Sequence, residues 1–352
     1  MNYSALTQQP SKAHIAQFER AYPASRMNLR FKKIALGILI VFGGLFLIGG
    51  TQSLTLSHST GDNIGGSVFT LVLAAVMGIG IVFLFLAARK QRIESAKIAL
   101  FAQQNGFRYT RMIDEPAYTG MYFGIGYRRA LSNIITSQRS TPKFEIGNLN
   151  YTIRTGKSES TYRKGYIRIE LERNLPQIVL DASSNNLKMF GKNITNLPED
   201  FDTSQRMNLE GDFNKYFTLY APKEYERDAL YIFTPDLMAL MIDNVSAFDA
   251  EIIDNQLFIY KSQAPFVLTD GALLDRLFKI IEVVGNKAHT QTNFYADEKV
   301  GDRSLNEVAT GGKRLRKRIS VVTVIIIVII FAAIVGPLVF GQLGVLNEVY
   351  GS

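Results

Sequence analysis

Val68-Phe-Thr-Leu-Val-Leu-Ala-Ala-Val-Met-Gly-Ile-Gly-Ile-Val-Phe-Leu-Phe-Leu-Ala-Ala88 contains no ionisable side chain, and the residues that follow it are Arg89 and Lys90. A helix rises about 1.5 Å per residue, and a bilayer core of about 30 Å needs roughly 20 apolar residues to cross it. These 21 residues meet that length. Two other blocks share the property: Ile34–Gly50, with 17 residues, and Ile319–Phe340, with 22. The first is short enough to need local thinning or help from its flanks. It begins 33 residues into the chain and no small-residue cleavage site follows it, which argues against a removable leader. Three transmembrane helices are expected.

Lys and Arg next to a span resist translocation. Arg20, Arg26, Arg30, Lys32 and Lys33 precede the first block, and Arg89, Lys90, Arg92, Lys97 and Arg108 follow the second. Lys299, Arg303, Lys313, Arg314, Arg316, Lys317 and Arg318 precede the third. The opposite flanks, 51–67 and 341–352, hold no Lys or Arg. The expected topology is a multi-pass plasma (inner) membrane protein. Its N-terminus and residues 89–318 are cytoplasmic; the 51–67 loop and the C-terminal tail lie outside.

The formal charge of +8 concentrates at these collars, since residues 89–312 are neutral in sum. Arg30, Lys32, Lys33, Arg89, Lys90, Arg92, Lys313, Arg314, Arg316, Lys317 and Arg318 form an expected anionic-lipid collar, each worth about 1 kcal/mol near a charged leaflet. The basic balance therefore points to headgroups and not to nucleic acid. The chain has no cysteine, which excludes disulfides and thiolate chemistry. His14, His58 and His289 are too dispersed to suggest a metal centre.

The fold class expected is a membrane-anchored α+β protein. Residues 1–33 read as a basic arm: Ile15, Phe18 and Tyr22 recur at helical spacing after Pro10-Ser11, which suits either an interfacial helix or a disordered tail. Blocks 34–50 and 68–88 form a hairpin, in which Ala74 and Gly78 are spaced for close helix approach. Residues 89–206 comprise a juxtamembrane helix over 93–105, stopped by Gly106, and then a β-rich subdomain. Its strands are Phe144–Ile146, Tyr151–Arg154, Tyr166–Leu171 and Ile178–Leu180, punctuated by Gly147-Asn148, Gly156 and Asn185-Asn186. Gly191–Arg206 reads as a linker or long loop.

Residues 207–285 form an α+β subdomain. Thr234-Pro235 starts a helix, Asp254-Asn255 turns a β-hairpin, and Leu273–Val284 line one helix face ending at Gly285. Residues 286–318 are polar and aperiodic and read as a flexible basic tether to the block 319–340, with 341–352 as outer tail. The two subdomains carry opposite net charges, +5 over 93–206 and −8 over 207–312.

The stretches Glu210-Gly-Asp-Phe-Asn-Lys-Tyr-Phe-Thr-Leu-Tyr-Ala-Pro, Ala229-Leu-Tyr-Ile-Phe-Thr-Pro-Asp-Leu-Met and Leu257-Phe-Ile-Tyr resemble a family of bacterial membrane proteins known only as a domain of unknown function. The resemblance covers about 93–285. It implies a bacterial inner-membrane protein with two N-terminal spans and a cytosolic α+β region, and it supplies no catalytic residues.

Candidate chemistry is thin. Gly120, Gly124 and Gly126 lack the spacing of a nucleotide loop and suit turns better. Tyr127, Arg128, Arg129, Arg154, Tyr162, Arg163, Lys164, Tyr166 and Arg168 mix basic and aromatic side chains, as a nucleic-acid grip does. A solvated sheet face, or one lying on anionic lipid, has the same composition. Asp181, Glu210, Asp212 and Asp236 sit near element ends with no pairing spacing, and each has a simple structural role. The apolar blocks contain no Asp, Glu, Lys, Arg or His, so a transport path within them is unsupported. No catalytic, cofactor or metal site is assigned. The leading expectation is a tethered binding or scaffold module for a protein partner or the inner leaflet. The alternatives are a membrane-bound hydrolase or transferase using carboxylates, and an accessory subunit of a transport or envelope-assembly complex.

Overall fold

The structure, a computed structural model, describes residues 1–23, 26–60, 65–137, 141–189, 192–302 and 304–318. The third apolar block lies outside the described residues. The chain divides into two compact units that interleave in sequence. The first comprises Met1–Ala117, Gly126–Ile167 and Ala264–Ile281; the second comprises Tyr118–Ile125, Arg168–Gln263 and the chain from Glu282 onward. The expected boundary at residue 206 falls inside the second unit. Local charge sums do not register such interleaving, because each unit is assembled from distant segments.

In the first unit, α1 (Ser4–Thr7) and α2 (Lys12–Ala21) precede two long helices, α3 (Arg26–Thr60) and α4 (Gly65–Gln104). Leu36–Thr55 and Val68–Gln104 are long and apolar enough to cross a membrane. Their large side chains are uncovered by protein: Phe69, Ile79 and Phe83 are about 70% exposed. The seam between α3 and α4 uses small residues. Ala74 is buried, and a Cβ on Gly50 would lie 2.7 Å from Thr70 Oγ1. Gly78 has open space and is not part of the seam. Helix α3 continues to Thr60, through much of the stretch expected as a polar loop. Thr51 and Thr55 bond their hydroxyls to carbonyls three and four residues back, which keeps polar side chains compatible with a helix.

Beyond Ala88 the same helix enters a folded body. Ala96, Ile98, Phe101 and Ala102 are buried, and Gly106 at φ +75° ends the helix, with Phe107 N–H donating to Ala102. Strands β1 (Arg108–Asp114), β2 (Tyr127–Thr136), β3 (Phe144–Thr155) and β4 (Ser158–Ala182) follow in the order β1-β2-β3-β4, with β1–β2 and β2–β3 antiparallel. Strand β4 leaves this unit at Ile167. Helix α8 (Gly271–Ile280), capped by the Asp270 carboxylate on Ala272 and Leu273 N–H, packs Phe278 on Phe101, Phe107 and Phe144. The N-terminal arm is built in as well. Tyr3 stacks on Phe101 at 5.5 Å, Lys97 donates to the Leu6 carbonyl, and Phe18 lies 5.9 Å from Tyr109. The apolar side of α2 thus faces protein.

Gly147-Asn148, expected as punctuation, lies inside β3. Asn148 bonds the backbone of Phe266 in both directions, at 2.7 and 3.0 Å, so its amide acts as one more ladder position. Asn133 plays a related part at a bulge of β2, between the pairs Ser132↔Asn148 and Ile135↔Ile146. At φ +52° its Oδ1 accepts from Ser95 Oγ at 3.0 Å and Tyr109 Oη at 2.7 Å, tying α4 to β1 and β2.

In the second unit, β4 pairs with β8 (Phe217–Tyr220) and β9 (Asp249–Lys261), and β8 pairs with β7 (Arg206–Met207). A separate hairpin joins β5 (Leu187–Met189) to β6 (Lys192–Ile194). Helices α5 (Phe213–Tyr216), α6 (Glu226–Ile232), α7 (Pro235–Val245), α9 (Asn286–Thr292) and α10 (Thr310–Lys313) complete it. Helix α7 starts at Thr234-Pro235 as its sequence demands. Within β9, Tyr260 Oη donates to Glu251, and Ser262 Oγ just beyond the strand donates to Asp249. Nine extended residues span about 30 Å, so β9 folds back on itself near Asp254, which sits at φ +53°.

Gly285 is not a helix end: a π turn over Ile281–Gly285 leads into α9, and a Cβ there would meet Ile169 Cδ1 at 2.9 Å. Residues 286–318, read as a flexible tether, are held at several points among the described residues. Tyr225 Oη, Lys299 N–H and Ala309 N–H all donate to Asp297.

Removing the Asn133 acceptor isolates the α4 tie. Asn133→Ala is expected to cost about 2 kcal/mol, because two buried hydroxyls lose their partner and alanine resists positive φ. Asn133→Gly, which relieves only the backbone, is expected to fall between that variant and the native chain. Denaturant unfolding of the full chain in detergent micelles provides the measurement; native-like stability of the alanine variant would remove Asn133 from the framework.

Candidate functional site

The collar residues take three different placements. Arg30, Lys32 and Lys33 lie in the first turns of α3. Arg89, Lys90 and Arg92 follow the apolar part of α4, where Lys90 pairs with Glu94 across one helical turn and Arg92 with Glu19 of α2. These pairs are exposed and each contributes at most about 1 kcal/mol. The segment 313–318 is docked on the second unit. Arg314 makes a two-pronged pair with Asp254, and Lys317 reaches Glu199 at 2.7 Å.

The backbone of this segment is gripped by side-chain amides. Gln177 accepts from Leu315 N–H, and Gln205 both accepts from Arg316 N–H and donates to its carbonyl. Arg318 N–H donates to Asp200 O, and the Arg318 side chain borders a recess of about 210 Å³ with Glu199, Asp200 and Tyr220. Sequence reasoning missed Gln177 and Gln205. The available signal was Gln177 itself, a polar residue inside Leu175-Pro-Gln-Ile-Val-Leu, where burial requires a partner.

Besides Asp297, three buried carboxylates among the described residues occupy the second unit. Glu251 accepts from Met121 N–H at 2.7 Å, Gln177 Nε2 at 2.7 Å and Tyr260 Oη at 3.0 Å. Burial pushes its pKa up to about 7, and the three donors hold the rise in check. Asp249 accepts from Ala182 N–H, Asn185 Nδ2 and Ser262 Oγ. Asp181 is raised to about 6, first by burial and then by the charge of Asp249 beside it. An elevated carboxyl pKa is a mark of acid–base sites, yet the contacts of Glu251 and Asp249 organise backbone. They fix the 118–125 loop, the end of β4 and the two arms of the β9 hairpin. Of the acids singled out in sequence, Asp236 pairs with Lys287, Asp212 pairs with Lys215, and only Asp181 joins this cluster. Among the described residues no group of three or more His, Asp or Glu is placed to hold a metal ion.

The basic and aromatic residues also separate. In the first unit, Arg128 and Arg154 lie over Tyr127 at 5.4 and 5.8 Å, and Glu159 pairs with both. Tyr151 stacks on Tyr162, while Lys164 and Tyr166 are buried. Arg168 covers the Tyr118 ring in the second unit. The glycines 120, 124 and 126 form no phosphate cradle: a Cβ on Gly120 would strike Tyr260 Oη, and Gly126 at φ +63° abuts the Thr152 carbonyl.

No family model matches this chain. No curated protein matches it either. Among solved structures, the mycobacterial trehalose monomycolate transport factor A, TtfA, is similar over 55% of this chain and 93% of that chain, with 10% identity and a TM-score of 0.38. A likeness of that size carries no argument about function.

The Glu251 proton gives a pH test. Its folded-state value lies above the ordinary 4.5, so the folded protein holds the proton more tightly than the unfolded chain. That contribution, on the order of 3 kcal/mol, is complete below about pH 4.5 and is lost as pH rises through about 7. Unfolding midpoints in micelles are expected to fall across this window. In Glu251→Gln the fall is reduced and the protein is weaker at low pH, since an amide NH₂ would face an N–H donor. An unchanged pH slope in that variant would show that another group titrates.

Proposed function

We propose that the chain is a multi-pass protein of a bacterial inner membrane that holds its folded α+β region on the cytoplasmic side as a binding module. Residues 319–340 supply the third span, and the collars rest on anionic headgroups. The observation that carries this reading is α4. Its residues 68–88 carry no charge and leave their large side chains uncovered, while Ala96, Ile98, Phe101 and Ala102 of the same helix are buried in a folded core. A helix with those two environments joins a lipid-facing part to a folded domain without a hinge. Orientation rests on the confinement of Lys and Arg to one flank of every apolar block. A binding role is favoured over chemistry because Glu251 and Asp249 are engaged in holding backbone. The partner on this reading is the anionic leaflet or a protein, and the resemblance to the bacterial family of unknown function belongs to the same proposal.

The chain lacks cysteine, so single thiols report topology cleanly. In spheroplasts, an impermeant maleimide is expected to label Ser59→Cys directly and Lys157→Cys only after permeabilisation. The reverse pattern would overturn the orientation, and direct labelling of both would overturn the anchoring. Replacing Arg89, Lys90 and Arg92 by Gln is expected to lower the phosphatidylglycerol that copurifies in mild detergent, at about 1 kcal/mol per cation. Unchanged lipid counts would remove the collar from the binding role.

A further inference from the structure

A cavity of about 490 Å³ lies in the first unit between α2, the last turns of α4 and the start of β1. Its floor is apolar: Phe18, Ala96 and Tyr109 are buried, and Leu100 and Phe107 stand beside them. The polar residues bordering it are His14, Gln17, Tyr22, Gln103 and Arg108. No carboxylate is among the described residues that line it. The nearest acid on α2, Glu19, is paired with Arg92. The size falls within the roughly 300–1,000 Å³ of pockets that enclose small molecules.

We propose that this cavity binds a single-chain anionic amphiphile, with its tail on the Phe18–Ala96–Leu100–Phe107 floor and its carboxylate or phosphate at Arg108. The proposal rests on the reading that α4 crosses a membrane. One helical wall leads straight into an apolar helix: Ala96–Gln103 runs back along α4 into the apolar block ending at Ala88. Ala96 lies eight residues past that end, which is about 12 Å along the helix. The interfacial layer is only roughly 5–8 Å deep on each side. An occupant from the leaflet therefore has to leave the bilayer. Membrane retention grows with every buried CH₂, so one acyl chain exchanges reversibly and a two-chain lipid does not. Charge selects the head: a cation-bordered, carboxylate-free cavity favours an anion over a neutral alcohol.

The test uses photoactivatable hexadecanoate and the matching photoactivatable hexadecanol in membrane vesicles carrying the full chain, with crosslinks mapped by mass spectrometry. Hexadecanoate is expected to label residues 14–22 and 96–109 as well as the helices at 36–55 and 68–88, whereas the alcohol labels the helices alone. Ala99→Phe, which fills the cavity, and Arg108→Gln at its exposed edge are each expected to cut the 96–109 label at least about fivefold, with helix labelling unchanged. Arg108 is on the surface, so its variant keeps the test valid if the phenylalanine variant does not fold. Labelling confined to the helices would overturn the cavity assignment while leaving the membrane reading intact. Equal cavity labelling by the alcohol, or indifference to Arg108→Gln, would overturn the anion assignment. Loss of helix labelling would instead overturn the membrane reading beneath it.

Discussion

One helix sets the terms for the first unit. Along α4 the environment changes from open to enclosed within a few turns, with Leu86 half exposed and Phe101 wholly buried. No proline interrupts it between Gly65 and Gln104, so the two parts share one axis and one rotational phase. Fixing the phase is the task of the contacts at its far end. Phe101 is held between Tyr3 and Phe278, and Ser95 bonds Asn133. Burying an aromatic of this kind is worth about 1.5–3 kcal/mol, and a satisfied hydrogen bond about 1 kcal/mol more. The N-terminal arm closes the arrangement, because Asn105 bonds Asn2 in both directions at the helix end.

The second unit solves a similar problem with amides. The segment 314–318 is polar apart from the buried Leu315, and its backbone is ordered by Gln177 and Gln205, whose side chains present the donor and acceptor of a missing strand. Gln177 is in turn fixed by Glu251. Each unit therefore carries its own attachment to an uncharged stretch of chain: the first through α3 and α4, the second through the five residues before Ile319.

Much of the helical architecture was legible, and the reasons are local. The length of 68–88, the stop at Gly106, the start at Thr234-Pro235 and the turn near Asp254-Asn255 follow from rise per residue, positive φ and ring geometry, which neighbouring residues decide. Gly147-Asn148 and Gly285 misled because their roles are tertiary. Gly147 admits the Tyr166 ring, Asn148 imitates a ladder position for Phe266, and Gly285 lets a helix approach Ile169. Residues 286–318 misled for the same reason: their order comes from Asp297, Gln177 and Gln205, none of which leaves a periodic trace. The collar was legible as charge but not as structure, since Arg314 and Lys317 pair with acids 60 and 118 positions away. The cavity beside Arg108 was not legible at all, because its walls come from segments about eighty residues apart.

The buried acids show why a polar core need not mean chemistry. An ionised carboxylate in a low-dielectric interior is costly unless donors surround it, and removing one partner costs more than the pair contributes. Glu251 meets that condition with donors from three chain segments: the loop at Met121, strand β4 at Gln177 and the returning arm of β9 at Tyr260. An apolar replacement would avoid the desolvation cost but would leave Met121 N–H and Gln177 without direction. The carboxylate therefore selects one placement of the 118–125 loop, and with it the burial of Tyr122 and Phe123. Burial favours the protonated form of Glu251 and its three donors favour the charged one, and a value of about 7 is where these opposing effects leave it.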